Sequence, residues 1–170
     1  EDDRTRAPTT QQVLRTLLEQ ASDGIFVSDL HGTFVDVNRR GHEMVGRTRE
    51  QVIGLNVREL VAPGDFERRA LALPEIGTGD VVFTERRLLR PDGSSLLAEL
   101  STTRLEDGRF LAIVRDVTER RAAEEANRRA AARFRALLDF LPDLVFVHVD
   151  GALVYANATA VRAFGWASAE

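Results

Sequence analysis

The chain lacks both cysteine and lysine across its 170 residues. Without cysteine it has no disulfide, no cysteine-ligated zinc or iron–sulfur site and no thiol nucleophile. All 23 basic side chains are therefore arginines, a bias that we attribute to the codon usage of a GC-rich bacterial genome.

Long apolar runs and an excess of positive charge are also absent. No run approaches the roughly 20 residues of a membrane-spanning helix, so we expect no direct membrane contact and a cytoplasmic location. The formal net charge of −4 argues against the basic surface that binds nucleic acid. With 44% hydrophobic and 29% charged residues, the composition is typical of a globular protein with room for one domain and part of a second.

Sequence motifs of catalysis are missing as well. The chain contains no nucleophile elbow, P-loop or His-Glu-x-x-His zinc motif. The carboxylates of Asp23, Asp29 and Asp36 are spaced for turns and strand edges rather than for paired acid–base work. We therefore expect neither enzyme activity nor a metal site in this segment.

An amphipathic helix is predicted near the N-terminus, after a disordered end at residues 1–9. Thr9 and Gln12 have the spacing of a capping box, and apolar residues follow at helical spacing as far as about Gln20.

Five strands are predicted beyond this helix, in two groups. The first group is a hairpin with a turn at Asp29–Gly32, and the second is a three-stranded meander between Asp80 and Val117. Short helices lie between the two groups, and Asn38, Thr48 and Asp65 are their expected N-caps. This order predicts an α+β domain with a five-stranded antiparallel sheet and helices on one face.

Both faces of this sheet carry apolar residues. In the last strand Phe110, Ala112 and Val114 alternate with Leu111 and Ile113. Since the two sets point to opposite faces, the outer face also needs cover. We expect the N-terminal helix or a partner chain to provide it.

A helical linker is predicted over residues 118–135, which contain no glycine or proline. Alanines followed by Phe134, Leu137 and Leu141 form an imperfect coiled-coil stripe. The pattern fits either a solvated connector or a dimeric seam. We predict that the linker transmits a signal by rotation or by a change of coiled-coil register.

The start of the chain is repeated at an offset of about 120 residues. Leu17-Leu18-Glu19, Asp23, Phe26 and Asn38 return as Leu137-Leu138-Asp139, Asp143, Phe146 and Asn157. Such a repeat indicates a second copy of the same unit. We expect residues 136–170 to be a truncated copy whose hairpin has no further sheet partner, which is marginal alone.

Four segments resemble PAS domains in their order and spacing: residues 23–38, residues 46–54, Arg90-Pro91-Asp92-Gly93-Ser94, and Arg115-Asp-Val-Thr-Glu-Arg120. The resemblance implies one complete PAS domain at residues 10–117. It implies a sensory and relay module of a bacterial signalling protein, such as the histidine kinase of a two-component system. The alternative is a ligand-free dimerisation and protein-interaction module of a transcription regulator or a cyclic-dinucleotide enzyme.

The resemblance also bears on cofactors. Val57 occupies the position of the reactive cysteine of flavin-binding relatives, which excludes a flavin–cysteine adduct. The last strand has Val114 where those relatives carry a glutamine. Haem-binding relatives use a histidine on the helix that corresponds to about Asp65–Leu73, and that segment has none. We expect no cofactor, although an unidentified small ligand fits the resemblance.

By register with PAS relatives, a candidate ligand cavity lies between the inner face of the sheet and the helices. Arg86 would need a counter-charge there, from a ligand or from an acid such as Glu99 or Glu43; the alternatives are an outer-face position or an internal pair. His42 is either structural or directed at the cavity. The candidate cavity residues are Phe26, Ser28, His42, Val57, Thr84, Arg86, Leu88, Ala98, Leu100, Phe110, Ala112 and Val114.

Signal transfer is expected at the junction between the last strand and the linker. Asp116 stands where its carboxylate would hold the backbone N–H groups of the first helical turn, next to Thr118. The partners that we expect are the output domain of the same protein and a second copy of the chain. The homodimer would form through the N-terminal helix, the linker and the outer sheet face.

Overall fold

The computed structural model of the chain describes residues 9–68 and 73–166. The predicted disordered end falls outside the described residues except for Thr9, and so do residues 69–72 of the helix predicted at about 65–73. The chain divides into two compact units, Glu1–Thr118 and Glu119–Glu170.

Helix α1 spans Thr10–Glu19 and begins with the predicted capping box. The Gln12 N–H donates to Thr9 Oγ1 at 3.3 Å, and the Thr9 N–H donates to Gln12 Oε1 at 2.8 Å. None of its residues is buried. Its apolar side chains therefore form an exposed stripe, which consists of Val13, Leu14, Leu17 and Leu18.

The first unit contains a five-stranded antiparallel sheet, as predicted. Its order is β2-β1-β5-β4-β3, so the opening hairpin pairs with the last strand. This pairing places the beginning of β1 beside the end of β5. The strands are β1 (Gly24–Ser28), β2 (Phe34–Val37), β3 (Val81–Leu89), β4 (Ser95–Arg104) and β5 (Phe110–Asp116).

Short helices connect β2 to β3, in the region where helical pieces were predicted. They are α2 (Arg39–Met44), α3 (Arg49–Val52), a 3₁₀ turn at Val57–Glu59, α4 (Pro63–Arg68) and a second 3₁₀ turn at Leu73–Glu75. Asn38 and Thr48 cap α2 and α3 as predicted. The 3₁₀ turn at Val57–Glu59 is capped by Asn56, which the sequence reading missed.

The N-cap predicted at Asp65 is wrong. Helix α4 begins at Pro63, because the fixed φ of proline suits the first helical position. Asp65 therefore lies inside the helix. Its carboxylate accepts a hydrogen bond from the Arg87 N–H at 2.5 Å and so ties α4 to β3.

The hydrophobic core lies on the inner face of the sheet, where side chains of all five strands meet residues from the helical region. One cluster of buried residues joins both groups. It consists of Phe26, Phe34, Val37, Met44, Val45, Val52, Leu60, Val61, Leu88, Leu96, Ala98, Leu100 and Val114.

The outer face remains partly apolar and partly uncovered. Leu14 and Leu18 of α1 line a groove with Ile25, Val27 and Leu111, so α1 lies beside β1 and β5. Farther along the sheet Phe83 is 77% exposed, and Val81 and Ile113 are exposed as well. Helix α1 thus provides only part of the expected cover.

The second unit contains most of α5 (Thr118–Phe140), the hairpin of β6 (Phe146–Val149) and β7 (Ala152–Ala156), and α6 (Ala158–Phe164). Helix α5 continues beyond residue 135, where the linker was predicted to end, as far as Phe140. Residues 136–140 are compatible with a helix, and the first proline after Thr118 is at position 142.

Three aromatic side chains pack together in this unit. Phe164 and Trp166 stack with ring centroids 5.0 Å apart, and Phe146 meets both rings edge-on. Phe164 and Trp166 remain exposed. Among the helices of the described residues, none combines the length and the apolarity needed to cross a membrane.

Candidate functional site: inner sheet face and strand–helix junction

The ten candidate cavity residues on the strands lie together on the inner face. The strand register places Phe26 opposite Ala112, Ser28 opposite Phe110, and Leu100 opposite both Thr84 and Val114. Thr84 and Ala112 are half-buried, and the other eight are buried. The surface is therefore mainly apolar, with the polar side chains of Ser28, Thr84 and Arg86 among it.

Arg86 lies on the inner face and is only 2% exposed. Its Nη1 donates a hydrogen bond to the carbonyl oxygen of Asp65 at 2.8 Å, so the guanidinium is held against α4. Of the two acids proposed as its counter-charge, Glu43 pairs with Arg39 at 2.8 Å. Glu99 follows Ala98, the cross-strand neighbour of Arg86, and therefore lies on the opposite face of the sheet.

The other two candidates come from the helical region. His42 is half-buried on α2, and its Nδ1–H donates to the carbonyl oxygen of Arg47 at 3.0 Å. This bond holds the ring against the loop after α2. Val57 packs partly buried against the core, and its N–H donates to the Gly32 carbonyl oxygen at 2.8 Å.

The junction between β5 and α5 is tied to the neighbouring strand β4 by two hydrogen bonds. The Val117 N–H donates to the Leu97 carbonyl oxygen at 2.9 Å, and the Leu97 N–H donates to Thr118 Oγ1 at 2.8 Å. In addition, Asp116 Oδ1 accepts from the Thr118 N–H at 2.9 Å. The first residue of α5 is thus bonded to the sheet through its own side chain and through Asp116.

An ion pair reinforces this end of the sheet. Asp23, which precedes β1, accepts hydrogen bonds from Nε and Nη2 of Arg115 near the end of β5. These bonds lower the pKa of Asp23 below its ordinary value, against the opposing effect of burial. The sequence reading placed Asp23 at a strand edge and missed its partner.

Asn38 has a larger role than the predicted N-cap. Its Oδ1 accepts from the N–H groups of Gly41 and Ile25, and its Nδ2 donates to the carbonyl oxygens of Leu18 and Asp23. One amide therefore joins α1, β1 and α2. From the sequence, the position of Asn38 before a helix predicts only the N-cap and not the bonds to Leu18 and Asp23.

Family models match both parts of the chain. A model described as PAS fold matches residues 18–122, and a model described as PAS domain matches residues 132–170. The chain belongs to the PAS family. The two matched regions contain the two copies of the internal repeat except for Leu17.

Several curated proteins are similar to this chain. Sporulation kinase E of Bacillus subtilis is 27% identical over 158 residues, which are 91% of this chain and 21% of the kinase. An uncharacterised protein of Azorhizobium caulinodans is 29% identical over 136 residues, 75% of this chain and 18% of that protein. The chain spans about a fifth of the length of these curated relatives.

Solved PAS structures share the fold. A domain of a sensory box sensor histidine kinase/response regulator from Geobacter sulfurreducens is 35% identical and aligns with a TM-score of 0.56, over 62% of this chain and 93% of that domain. The PAS domain of an HTR-like protein from Haloarcula marismortui is 32% identical with a TM-score of 0.58, over 63% of this chain and 91% of that domain.

Proposed function

We propose that the chain is the sensory and relay segment of a bacterial signal-transduction protein with a histidine kinase as its output domain. It would work in the cytoplasm, upstream of the kinase. The similarity to Sporulation kinase E along 91% of the chain supports a kinase output. The kinship with a domain of the Geobacter sensor histidine kinase supports it as well.

The observation that carries the relay is the bond between Leu97 and Thr118. Leu97 lies on β4 between Leu96 and Ala98, which are both buried in the core. Its backbone N–H and carbonyl bond to Thr118 and Val117. A change in the packing of the core that shifts β4 would therefore displace the first turn of α5.

The proposed input is a small ligand at the inner sheet face. Ligand sites in proteins are mostly apolar, with a few polar groups that fix orientation. Ser28, Thr84 and Arg86 supply such groups among Phe26, Phe110 and the other candidate residues. Native mass spectrometry of the purified chain tests this proposal, since a bound molecule would appear as a defined mass increment.

A ligand-free relay is the second candidate, and the packing of the inner face favours it. Phe26, Leu100 and Val114 already belong to one cluster of buried side chains. Such a module would dimerise and relay changes that arise elsewhere in a transcription regulator or a cyclic-dinucleotide enzyme. Mass spectrometry that yields only the bare chain would favour this candidate.

Dimerisation is part of both candidates. We infer that a second copy covers the exposed stripe of α1 and the apolar part of the outer sheet face, because exposed apolar surface of this kind is unusual in a monomer. The linker helix would continue the dimer interface. The oligomeric mass of the purified chain tests this inference.

The relay itself is tested in the parent protein with the substitution Asp116→Ala. It removes the acceptor of the Thr118 N–H and leaves the core unchanged. We expect an altered basal output and a weakened response to the stimulus, with normal protein levels. If basal and stimulated output both stay at wild-type levels in a folded protein, the relay through this junction is wrong.

A further inference from the structure

The buried side chain of Asn157 connects three elements of the second unit. Its Nδ2 donates to the carbonyl oxygens of Leu138 on α5 and of Asp143 before β6, both at 2.9 Å. Its Oδ1 accepts from the N–H groups of Val145 at 3.1 Å and Ala160 on α6 at 3.0 Å. All four hydrogen-bonding positions of the amide are thus used.

Asn38 makes the same four bonds in the first unit. There the partners are the Leu18 and Asp23 carbonyls and the Ile25 and Gly41 N–H groups, at 2.8–3.1 Å. Each partner precedes its counterpart in the second unit by 119 or 120 residues. Within the second unit, the end of α5 is therefore bonded to this asparagine in the same way as the end of α1 is bonded to Asn38 in the first unit.

A carboxylate next to the bonded helix carbonyl makes a second tie in both units. Asp139 Oδ1 accepts from the Ala158 N–H at 2.9 Å and from the Tyr155 hydroxyl at 3.1 Å. In the first unit, Glu19 Oε2 accepts from the Arg39 N–H at 2.8 Å. The end of each preceding helix is thus fixed at two neighbouring residues.

We propose that Asn157, assisted by Asp139, is the positioning residue through which movement of α5 reaches the hairpin β6–β7 and α6. The proposal rests on the relay function above. Helix α5 runs without interruption from Thr118 to Phe140. Rotation or sliding of its last turns must either carry the Asn157 amide along or break the bond to the Leu138 carbonyl.

Breaking that bond is unfavourable because Asn157 is fully buried. A buried donor or acceptor that loses its partner forfeits its solvation as well as its hydrogen bond. The amide is therefore expected to follow the helix. Since Oδ1 holds Val145, directly before β6, and the first turn of α6 at the same time, both elements are expected to move with it.

The substitution Asn157→Asp removes the two bonds that Nδ2 donates, one of which is the tie to the helix, and keeps the two that Oδ1 accepts. A carboxylate still accepts from the Val145 and Ala160 N–H groups, but it has no donor for the Leu138 and Asp143 carbonyls. The matched control is Asn127→Asp, which makes the same chemical change at an exposed position of α5.

The local effect is measured by hydrogen exchange of the whole chain. We expect Asn157→Asp to raise exchange about three- to tenfold in residues 136–140, while α6 keeps its protection and Asn127→Asp leaves residues 136–140 unchanged. Unchanged exchange in residues 136–140 of Asn157→Asp would overturn the proposal. If Asn157→Asp unfolds the unit, Asp139→Ala is measured in its place, because it removes only the second tie. We again expect faster exchange in residues 136–140, and unchanged exchange there would again overturn the proposal.

Transmission is measured by adding Thr118→Val, which removes the hydroxyl that accepts from the Leu97 N–H. In the otherwise wild-type chain we expect changed exchange in the first turns of α5 and in residues 145–157. In the Asn157→Asp background the change should stop at the end of α5. An equal change at residues 145–157 in both backgrounds, or none in either, would overturn the role of Asn157.

The same experiment separates this proposal from the relay on which it rests. If Thr118→Val leaves even the first turns of α5 unchanged, the junction does not couple to the helix. The proposed relay then fails together with the role of Asn157. If α5 responds and only the hairpin result is contrary, the relay stands and the role of Asn157 alone is wrong.

Discussion

Asp23 and Arg115, which are 92 residues apart in the sequence, form a two-point ion pair between the start of β1 and the end of β5. Arg115 Nε lies 3.0 Å from Asp23 Oδ1, and Arg115 Nη2 lies 2.7 Å from Oδ2. The pair links β1 to β5 at the end of the sheet where the linker helix begins.

The ion pair predicts a pH-dependent contribution to stability. The hydrogen bonds from Arg115 lower the pKa of Asp23 below 3.8 in the folded chain. The contribution is therefore fully present above the pKa of the unfolded chain and is lost as the pH falls through the folded value. Asp23→Asn should cost at most about 1 kcal/mol at pH 7, because Arg115 is largely exposed.

The measurement is chemical denaturation of wild type and Asp23→Asn between neutral pH and about pH 2.5. We expect the difference in unfolding free energy to be constant down to about pH 5 and to shrink below pH 4. The control is the same comparison in the Arg115→Gln background, where the difference should no longer depend on pH in this way. A difference that stays constant at the lowest pH contradicts the assignment.

The turn between β1 and β2 predicts a position intolerant of side chains. Gly32 has φ +82°, and a Cβ there would lie 2.9 Å from Cγ1 of Val57. Gly54 has a similar φ of +90° but no atom within 4 Å of such a Cβ. We expect Gly54→Ala to cost roughly 1–2 kcal/mol for the backbone alone and Gly32→Ala about 1 kcal/mol more.

Urea denaturation followed by circular dichroism gives both values. The difference between the two variants isolates the steric contact with Val57, because the backbone requirement is shared. Equal costs would mean that Val57 moves away freely and that the core beside the turn is loosely packed.

The purified chain is expected to be colourless. Val57 stands in place of the reactive cysteine of flavin-binding relatives, the chain has no cysteine, and residues 65–73, where haem-binding relatives carry the axial histidine, contain no histidine. The visible absorption spectrum of protein purified in dim light tests this expectation. A stoichiometric flavin or haem spectrum would contradict it.

The exposed stripe of α1 predicts a surface variant that alters assembly without altering the fold. Leu17 is 60% exposed, so Leu17→Glu removes little buried area within the unit. We expect light scattering at tens of micromolar to give a dimer mass for wild type and a monomer mass for Leu17→Glu.

Leu30→Glu is the matched control for this prediction. Leu30 is 53% exposed in the turn between β1 and β2, away from the stripe of α1. It should remain dimeric. A monomer mass for the wild-type chain would rule out the dimer, and loss of the dimer in both variants would point to general destabilisation.

Local patterns predicted most of the fold, because each strand and turn has its own signal. The resemblance to PAS relatives placed Thr84, Arg86 and Leu88 on the inner face, where the structure has them, and the caps at Asn38 and Thr48 follow from their spacing to the next helix. Asp65 was misread because Pro63, two residues earlier, already starts the helix. Helix α5 extends past the predicted linker end at residue 135 because residues 136–140 also favour a helix.

Interactions between residues that are distant in the sequence could not be predicted from local patterns. The register of β1 against β5 decides that Asp23 meets Arg115, and no local pattern encodes it. The Nδ2 bonds of Asn38 depend on where α1 ends in space. Arg86 was expected to need a counter-charge from a ligand or an acid, and the backbone carbonyl of Asp65 as one of its partners was not foreseen.

The aromatic cluster of the second unit makes that unit optically distinct. Trp166 and Tyr155 are the only tryptophan and tyrosine of the chain, and both belong to Glu119–Glu170. Fluorescence therefore follows this unit alone, whereas far-ultraviolet dichroism also follows the larger sheet. Two unfolding curves that fail to coincide would thus report two PAS units of unequal stability, with no intermediate required in either one.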